Sequence, residues 1–235
     1  MQRFNYSVII SKALSFLASI KNVLRRIPFT LIMSGLIMAA GLSTQTFLRT
    51  SWPKIMEMFG WFLPALKAGE FYAPWVGLLF GSVPGHWQAI FEMVVVGVGI
   101  LEFRHGIKWA LIGFLLLGPL VGILSVFVMW PLSTTGSSWV NHYLYTPDMG
   151  GSAASLVCWG LFVGAERGRW QLLLLWGTVL VMSISWIILP EGWQVDHTLG
   201  FLIGLLVSAI WLRRQKGPSE ILSQTQKSII EKVRE

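Results

Sequence analysis

Long apolar runs alternate with short polar connections along this chain. A helix needs roughly 20 mostly apolar residues to cross the hydrocarbon core of a bilayer, so each run predicts one membrane-spanning helix. The six runs, in chain order, are Pro28–Leu48, Val83–Phe103, Trp109–Trp130, Gly150–Ala165, Trp170–Leu189 and His197–Leu212. The predicted fold is therefore an all-α membrane protein, with a bundle of six transmembrane helices over residues 28–212.

Glycine spacing indicates how these helices pack. The fourth and sixth runs are short, which is typical of helices in the interior of a bundle. Small residues four positions apart let two helix backbones approach closely. This spacing occurs on the third, fourth and sixth predicted helices, at Gly118–Gly122, Gly160–Gly164 and Gly200–Gly204. We expect Gly160, Gly200 and Gly204 to have this structural role.

The two ends of the chain differ from the bundle. Ser7–Ile20 is apolar, but Lys12 interrupts it and it is too short to span a bilayer. Because basic residues follow it, residues 1–27 are predicted to form a cytoplasmic amphipathic segment on the membrane surface. Residues 213–235 are predicted to form a polar cytoplasmic tail.

Composition favours a membrane protein over a soluble one. Of the 235 residues, 54% are apolar and 12% are charged, and the charged fraction is about half that of a soluble domain. The single cysteine, Cys158, lies within an apolar run and cannot form a disulfide within the chain. A packing role is predicted for it.

The net charge of +7 is distributed by membrane side. Fifteen of the 18 lysines and arginines lie in the two ends and in the second–third and fourth–fifth connections; the other three lie in the first connection. Positively charged connections stay in the cytoplasm, which predicts cytoplasmic N- and C-termini in a multi-pass plasma or inner membrane protein. Nucleic acid is not needed to explain the basic excess. The first connection, 49–82, is long and aromatic and is predicted to lie in the outer interface.

A serine and a histidine are predicted to meet near the outer face. The fourth and sixth helices run in the same direction, so Ser152 and His197, near their starts, lie at the same depth. If the helices touch, the imidazole can accept the hydroxyl proton and make Ser152 a nucleophile. Gly150 and Gly151 allow close approach of a substrate backbone, and amides at a helix N-terminus stabilise an oxyanion.

The chain resembles the rhomboid intramembrane serine proteases over roughly residues 28–212. Rhomboids have a six-helix core, a G-x-S-G motif that opens the fourth helix, and H-x-x-G-x-x-x-G on the sixth. The corresponding residues here are Gly150, Gly151, Ser152 and Ala153 on the fourth helix and His197, Gly200 and Gly204 on the sixth. Further similarities are Gly160 on helix four, His86 and Glu102 on helix two, and more weakly Pro28-Phe29-Thr30 and Gly69-Glu70.

The resemblance implies a Ser152–His197 catalytic dyad that needs neither cofactor nor metal. The implied substrate is a transmembrane segment of another membrane protein. His86 either donates a hydrogen bond to the oxyanion or caps helix two. Glu102, near Arg104, is expected to make a structural ion pair or hydrogen bond. The oligomeric state does not follow from the resemblance.

Three departures from the rhomboid pattern support a second hypothesis, a pseudoprotease that binds transmembrane helices without cutting them. Ile90 stands where rhomboids usually carry an oxyanion-stabilising asparagine. Ala153 replaces the glycine after the nucleophile, and Leu156 replaces an aromatic residue that often packs the histidine. A small-solute transporter is a third, weaker alternative, because the sequence has no evident inverted repeat or pair of broken helices.

Three acidic residues, Asp148, Asp196 and Glu92, lie near the predicted site. Adjacent residues on a helix point about 100° apart, so Asp196 cannot easily orient His197. Asp148 and Asp196 are therefore predicted to be N-caps of helices four and six. Glu92, roughly two turns into helix two, is an isolated intramembrane carboxylate, and such groups are functional candidates by default.

Overall fold

The computed structural model describes residues 18–46, 48, 53–82 and 84–212. Within these ranges the regular structure is helical, apart from one isolated antiparallel bridge. The α-helices are α1 (Ala18–Leu24), α2 (Pro28–Thr44), α3 (Pro53–Phe59), α4 (Leu63–Lys67), α5 (Ala73–Gly77), α6 (Pro84–Met93), α7 (Gly99–His105), α8 (Ile107–Leu111), α9 (Gly118–Met129), α10 (Ser138–Tyr145), α11 (Ser152–Ala165), α12 (Arg169–Ile188) and α13 (Trp193–Val207). π-helical turns join α6 to α7 and α8 to α9 and extend α13, and a 3₁₀ turn extends α9; they are Val94–Val98, Ile112–Leu117, Ser208–Leu212 and Trp130–Thr135.

Each of the six apolar runs contains helix, which confirms an all-helical fold of membrane type. Within the described residues, three helices are long and apolar enough to cross a membrane: Ile107–Thr135, Arg169–Ile188 and Trp193–Trp211. A fourth candidate is α1 with α2, bent by 81° between them. α11 does not qualify because its 14 residues measure about 21 Å, less than the hydrocarbon core. The six-span count and the side of the termini stay predictions.

The predicted end segments fall mostly outside the described residues. Of the segment 1–27, the description starts at residue 18, where α1 begins. The predicted surface helix Ser7–Ile20 overlaps α1 only at its end. The tail 213–235 lies outside the described residues altogether.

α11 lies at the centre of the bundle and α12 at its rim. Eleven of the 14 residues of α11 are buried, and the helix packs against α6, α9 and α13 and the π-helical turns beside them. α12 has no buried residue along its length and is apolar on most of its surface. A helix with this pattern faces lipid rather than a protein core.

α11 and α13 pack backbone against backbone at glycines. A Cβ added to Gly200 would lie 2.8 Å from the carbonyl oxygen of Ala153. One added to Gly204 would lie 2.8 Å from the amide nitrogen of Leu161, and one added to Gly160 would lie 3.1 Å from the Cα of Gly204. These distances show that the two helix backbones approach closely at Gly160, Gly200 and Gly204, as predicted for the three glycines. They follow the same order along both helices, so α11 and α13 run parallel.

Three short helices, α3 to α5, occupy the first long connection. Trp61, between α3 and α4, is buried and forms the isolated bridge with Asp148. The Trp61 amide donates to the Asp148 carbonyl at 2.9 Å, and the Asp148 amide donates to the Trp61 carbonyl at 3.2 Å. Phe71, Tyr72 and Trp75 are exposed, as suits a segment at a membrane interface. The bridge holds this connection against the loop that precedes α11.

Glu102 in α7 holds the start of α2. Its buried carboxylate accepts hydrogen bonds from the amides of Phe29 (2.9 Å) and Thr30 (2.8 Å) and from the Thr30 hydroxyl (2.7 Å). Amides in the first turn of a helix have no acceptor within the helix, so Glu102 caps α2 from outside. Arg104 pairs with Glu166 at 3.1 Å. The expected structural role of Glu102 thus takes the form of hydrogen bonds to α2.

Candidate active site

Ser152 and His197 lie side by side at matching ends of α11 and α13. Ser152 is the first residue of α11, after the cap residue Gly151, and His197 lies in the second turn of α13. The Oγ of Ser152 and the Nε2 of His197 are 2.8 Å apart, a hydrogen-bond distance. When Nε2 is unprotonated, the hydroxyl donates to it. Both side chains are partly buried. The close packing of α11 and α13 thus brings together the serine and the histidine, which were predicted from the sequence to lie at the same depth in the membrane.

Trp193, one turn before His197, packs on the imidazole. The two ring centroids are 4.8 Å apart in an edge-to-face arrangement, with 63° between the ring planes. The indole Nε1 donates to Glu191 Oε2 at 2.9 Å, which fixes the indole in turn. Sequence reasoning missed Trp193 because it looked for the histidine's aromatic neighbour at Leu156. Its spacing of four residues from His197 was the signal that could have found it.

The backbone before α11 allows a close approach to Ser152. Gly150 has φ +133°, a conformation that favours glycine, and its amide donates to the Gly77 carbonyl at 3.1 Å. A Cβ added to Gly151 would lie 2.9 Å from the ring of Phe114. The first amides of α11 have no acceptor within the helix. They lie beside the Ser152 hydroxyl, where a developing oxyanion would form.

His86, near the start of α6, lies close to the dyad. It interacts electrostatically with His197 and with Asp148. Its Nδ1 is 2.7 Å from the Ser82 hydroxyl, four residues earlier in the chain. This bond suits a capping role near the start of α6, and the Nε2 side of the ring suits donation to an oxyanion. Oxyanion donation and helix capping both stay predictions for His86.

Ile90 puts an apolar side chain beside the predicted oxyanion site. It is buried, and a Cβ added to Gly150 would lie 3.1 Å from its Cδ1. Ile90 has no hydrogen-bond donor in its side chain. Of the other two departures from the rhomboid pattern, Ala153 is buried against Gly200 and Leu156 lines a cavity. At the position where rhomboids carry an asparagine, this chain therefore has a packed apolar side chain and no hydrogen-bond donor.

His197 of the dyad borders a cavity of about 680 Å³ between α6, α11, α12 and the start of α13. Its walls are mainly apolar, and His197 and Trp193 line the end near the dyad. Further along α6, Glu92 also lines it. α12 forms the opposite wall with residues that include Leu174, Val181 and Ser185. The cavity extends from the dyad along the helices and is wide enough for part of a peptide segment.

Asp196 is not the N-cap that the sequence predicted. α13 begins at Trp193, so Asp196 is the fourth residue of the helix and is buried. The Tyr143 hydroxyl donates to Asp196 Oδ1 at 2.9 Å and lies 2.7 Å from the Ser125 hydroxyl. This chain of polar groups links α9, α10 and α13. Burial, and then the nearby Asp196 carboxylate, raise the pKa of Tyr143 well above its ordinary value.

Asp148 does not cap α11 either. Gly151 is the cap residue, without a side-chain hydrogen bond, and Asp148 Oδ1 accepts from the Met149 amide at 2.8 Å. Burial raises the pKa of Asp148, although the Met149 hydrogen bond opposes that shift. The prediction was wrong for both aspartates because helix starts were placed where hydropathy rises, not where backbone hydrogen bonds begin.

Within the described residues, no group of three or more His, Cys, Asp or Glu residues could hold a metal ion. Comparison with known protein families, with curated proteins and with solved structures gives no match. The function of this chain is therefore inferred from the geometry of the site and from the motifs in the sequence.

Proposed function

We propose that this chain is an intramembrane serine endopeptidase of the rhomboid type, with six transmembrane helices and both termini in the cytoplasm. The observation that carries the proposal is the 2.8 Å contact between Ser152 Oγ and His197 Nε2. It is supported by the glycine contacts that hold α11 and α13 in parallel. The substrate is a transmembrane segment of another protein, cut near the outer leaflet.

In the proposed reaction, His197 Nε2 takes the hydroxyl proton as Ser152 Oγ attacks the peptide carbonyl carbon. The carbonyl oxygen becomes an oxyanion, stabilised by the first amides of α11 and by His86. The C–N bond then breaks, and His197 gives its proton to the leaving amine. Water attacks the acyl-enzyme carbonyl while His197 accepts a proton from that water. The bond between the acyl carbon and Ser152 Oγ then breaks, His197 returns its proton to Oγ, and the carboxylic acid product leaves.

A serine-directed fluorophosphonate probe tests this proposal on the full chain in detergent. We expect covalent labelling of the wild type and none of the Ser152→Ala or His197→Ala variants. A matched control is Ser19→Ala in α1, which leaves the labelling unchanged. Labelling that survives Ser152→Ala, or a folded wild type that is not labelled, contradicts the proposal. A reporter fused after Glu235 tests the orientation separately, because it should be active only on the cytoplasmic side.

One observation favours the alternative function, a pseudoprotease that holds transmembrane helices without cutting them. Ile90 fills the space beside Gly150, and the loss of one oxyanion donor slows acyl transfer by about 10²–10³-fold. Under this alternative the cavity beside the dyad still binds a helix. The two functions are separated by whether a bound transmembrane peptide is cleaved by the wild type and left intact by Ser152→Ala.

A further inference from the structure

The Asp196 carboxyl group in α13 has one oxygen that lacks a hydrogen-bond donor within the described residues. Asp196 is 1% exposed, and its Oδ1 accepts a hydrogen bond from the Tyr143 hydroxyl at 2.9 Å. Its Oδ2 is also buried, and no described N–H or O–H group donates to it. The Ser125 hydroxyl lies near Asp196, but it donates to the Gly122 carbonyl at 2.9 Å. A buried carboxylate oxygen without a donor is strongly unfavourable, so a further donor is expected at Oδ2.

Asp148, in the loop before α11, is placed to be that donor. Its carboxyl group lies within hydrogen-bonding reach of the Asp196 carboxyl group. Its Oδ1 accepts from the Met149 amide, so a proton is best placed on Oδ2. Two ionised carboxylates in contact repel each other, and one of them then keeps its proton. A protonated Asp148 can donate to Asp196, and we call these two residues the carboxyl pair.

Titratable side chains face the carboxyl pair from three helices. Tyr143 of α10 donates to the pair, His86 of α6 interacts electrostatically with it, and His197 follows it directly in α13. The pKa of Tyr143 is raised by burial and then by the Asp196 carboxylate, so the phenol keeps its own proton. His197 points about 100° away from Asp196 and is engaged with Ser152. The shared proton therefore belongs to the pair and not to these neighbours.

The carboxyl pair joins the loop before α11 to α13. This loop, residues 148–151, directly precedes Ser152. Its backbone is bonded to the first long connection through the bridge to Trp61. The contact with Asp196 adds a link to α13, the helix that carries His197. The pair therefore helps to fix the amides at the start of α11 relative to the proposed base.

We propose that Asp148 and Asp196 share one proton, and that the hydrogen bond made by this proton holds the loop before Ser152 in its reactive position until alkaline pH removes it. Asp148 Oδ2 then gives its proton to water, and two negative carboxylates remain in contact. Their repulsion moves the loop away from α13, and the first amides of α11 move with it. The reaction is thus supported below the pKa of the pair and lost as the pH rises through it. Because Asp148 is only partly buried, the proton has a path to solvent.

This inference rests on the proposed function, because its first readout is the labelling of Ser152. The full chain in detergent is labelled with the fluorophosphonate probe over a range of pH. Wild-type labelling should fall about tenfold on the alkaline side, the effect of losing one buried hydrogen bond to a charged group. Asp148→Ala supplies no donor and should be labelled about tenfold more slowly at neutral pH as well.

Asp148→Asn and Asp196→Asn distinguish a shared proton from a purely structural role. In either variant the amide N–H can donate to the remaining carboxylate at any pH. Both variants should therefore be labelled at neutral pH and should lose the alkaline fall. The control is Glu57→Gln in α3, an acid-to-amide change at an exposed carboxylate, which should keep the wild-type profile. A wild type without the alkaline fall, or the same fall in both asparagine variants, overturns the inference.

Infrared spectroscopy tests the shared proton without any labelling. The wild type should show the C=O stretch of a protonated carboxyl group, which is absent from difference spectra of neither histidine nor amide origin. Asp148→Asn and Asp196→Asn should each lose this band, because the remaining carboxylate no longer needs a proton, whereas Glu57→Gln should keep it. A band that survives in both asparagine variants overturns the inference. Failure of the proposed function is distinguishable, because the wild type is then unlabelled while the band still separates it from the asparagine variants.

Discussion

Trp193 and His197 lie one helical turn apart in α13, and their rings meet edge to face with centroids 4.8 Å apart. The indole is held by its hydrogen bond to Glu191. The imidazole is thereby restrained on one side by Trp193 and on the other by its contact with Ser152. Trp193 is thus a positioning residue for His197 that comes from α13 itself.

Trp193→Ala should slow labelling by the serine probe, because His197 loses its packing partner and samples other rotamers. An aromatic pair contributes about 1 kcal/mol, so we expect the rate to fall about fivefold. Trp193→Phe should recover most of it. The matched control is Trp170→Ala at an exposed tryptophan of α12, which should leave the rate unchanged. An equal loss with Trp193→Phe would argue against ring packing as the cause.

Ile90→Asn should increase the rate of labelling and of peptide cleavage. The amide would place a donor beside Gly150, where Ile90 now packs, and one oxyanion donor is worth about 10²–10³ in rate. We expect at least a tenfold gain, because burial of the amide consumes part of the benefit. Ile90→Ala removes the bulk without adding a donor. If it accelerates the reaction as much as Ile90→Asn, the effect comes from space and not from hydrogen bonding.

Gly204→Ala should separate α11 from α13 and reduce labelling strongly. Its added methyl group would lie 2.8 Å from the Leu161 amide nitrogen, and backbone cannot move aside as a side chain can. The expected results are a lower melting temperature and a loss of labelling of about tenfold or more. The control is Gly35→Ala in α2, where no atom lies within 4 Å of the added Cβ. That change should be neutral or slightly stabilising.

Glu102→Gln should destabilise the fold. A glutamine side chain has one acceptor oxygen and one NH₂ group, so it cannot accept the three hydrogen bonds that Glu102 receives from Phe29 and Thr30. Loss of a charge-assisted buried hydrogen bond costs about 1.5–3 kcal/mol, measured as a lower midpoint of thermal unfolding. Glu166→Gln is the control, because the partly exposed Arg104–Glu166 pair contributes at most about 1 kcal/mol. An equal loss in both variants would contradict the capping role of Glu102.

The hydropathy of the chain was enough to predict helices at all six apolar runs, and their direction was enough to pair Ser152 with His197. Helix ends could not be predicted in the same way. Trp193, Gln194 and Asp196 belong to α13, although they are more polar than the run that follows. For that reason hydropathy alone indicated neither the Trp193–His197 contact, which the four-residue spacing could have revealed, nor the burial of Asp196 beside Tyr143. The hydrogen-bond partners of Glu102 could not be predicted from the sequence either, because they depend on which helix ends meet in the fold.

α12 has no buried side chain anywhere along its 20 residues. Its position is thus set by the surrounding lipid together with a few hydrogen bonds to α11 and α13, made at Thr178, Ser185 and Trp186. It also forms one wall of the cavity that contains Glu92 and borders the dyad. The width of that cavity should therefore follow the thickness and lateral pressure of the bilayer. The membrane itself would then act as an effector of this protein, so its behaviour in detergent and in bilayers of different thickness should differ.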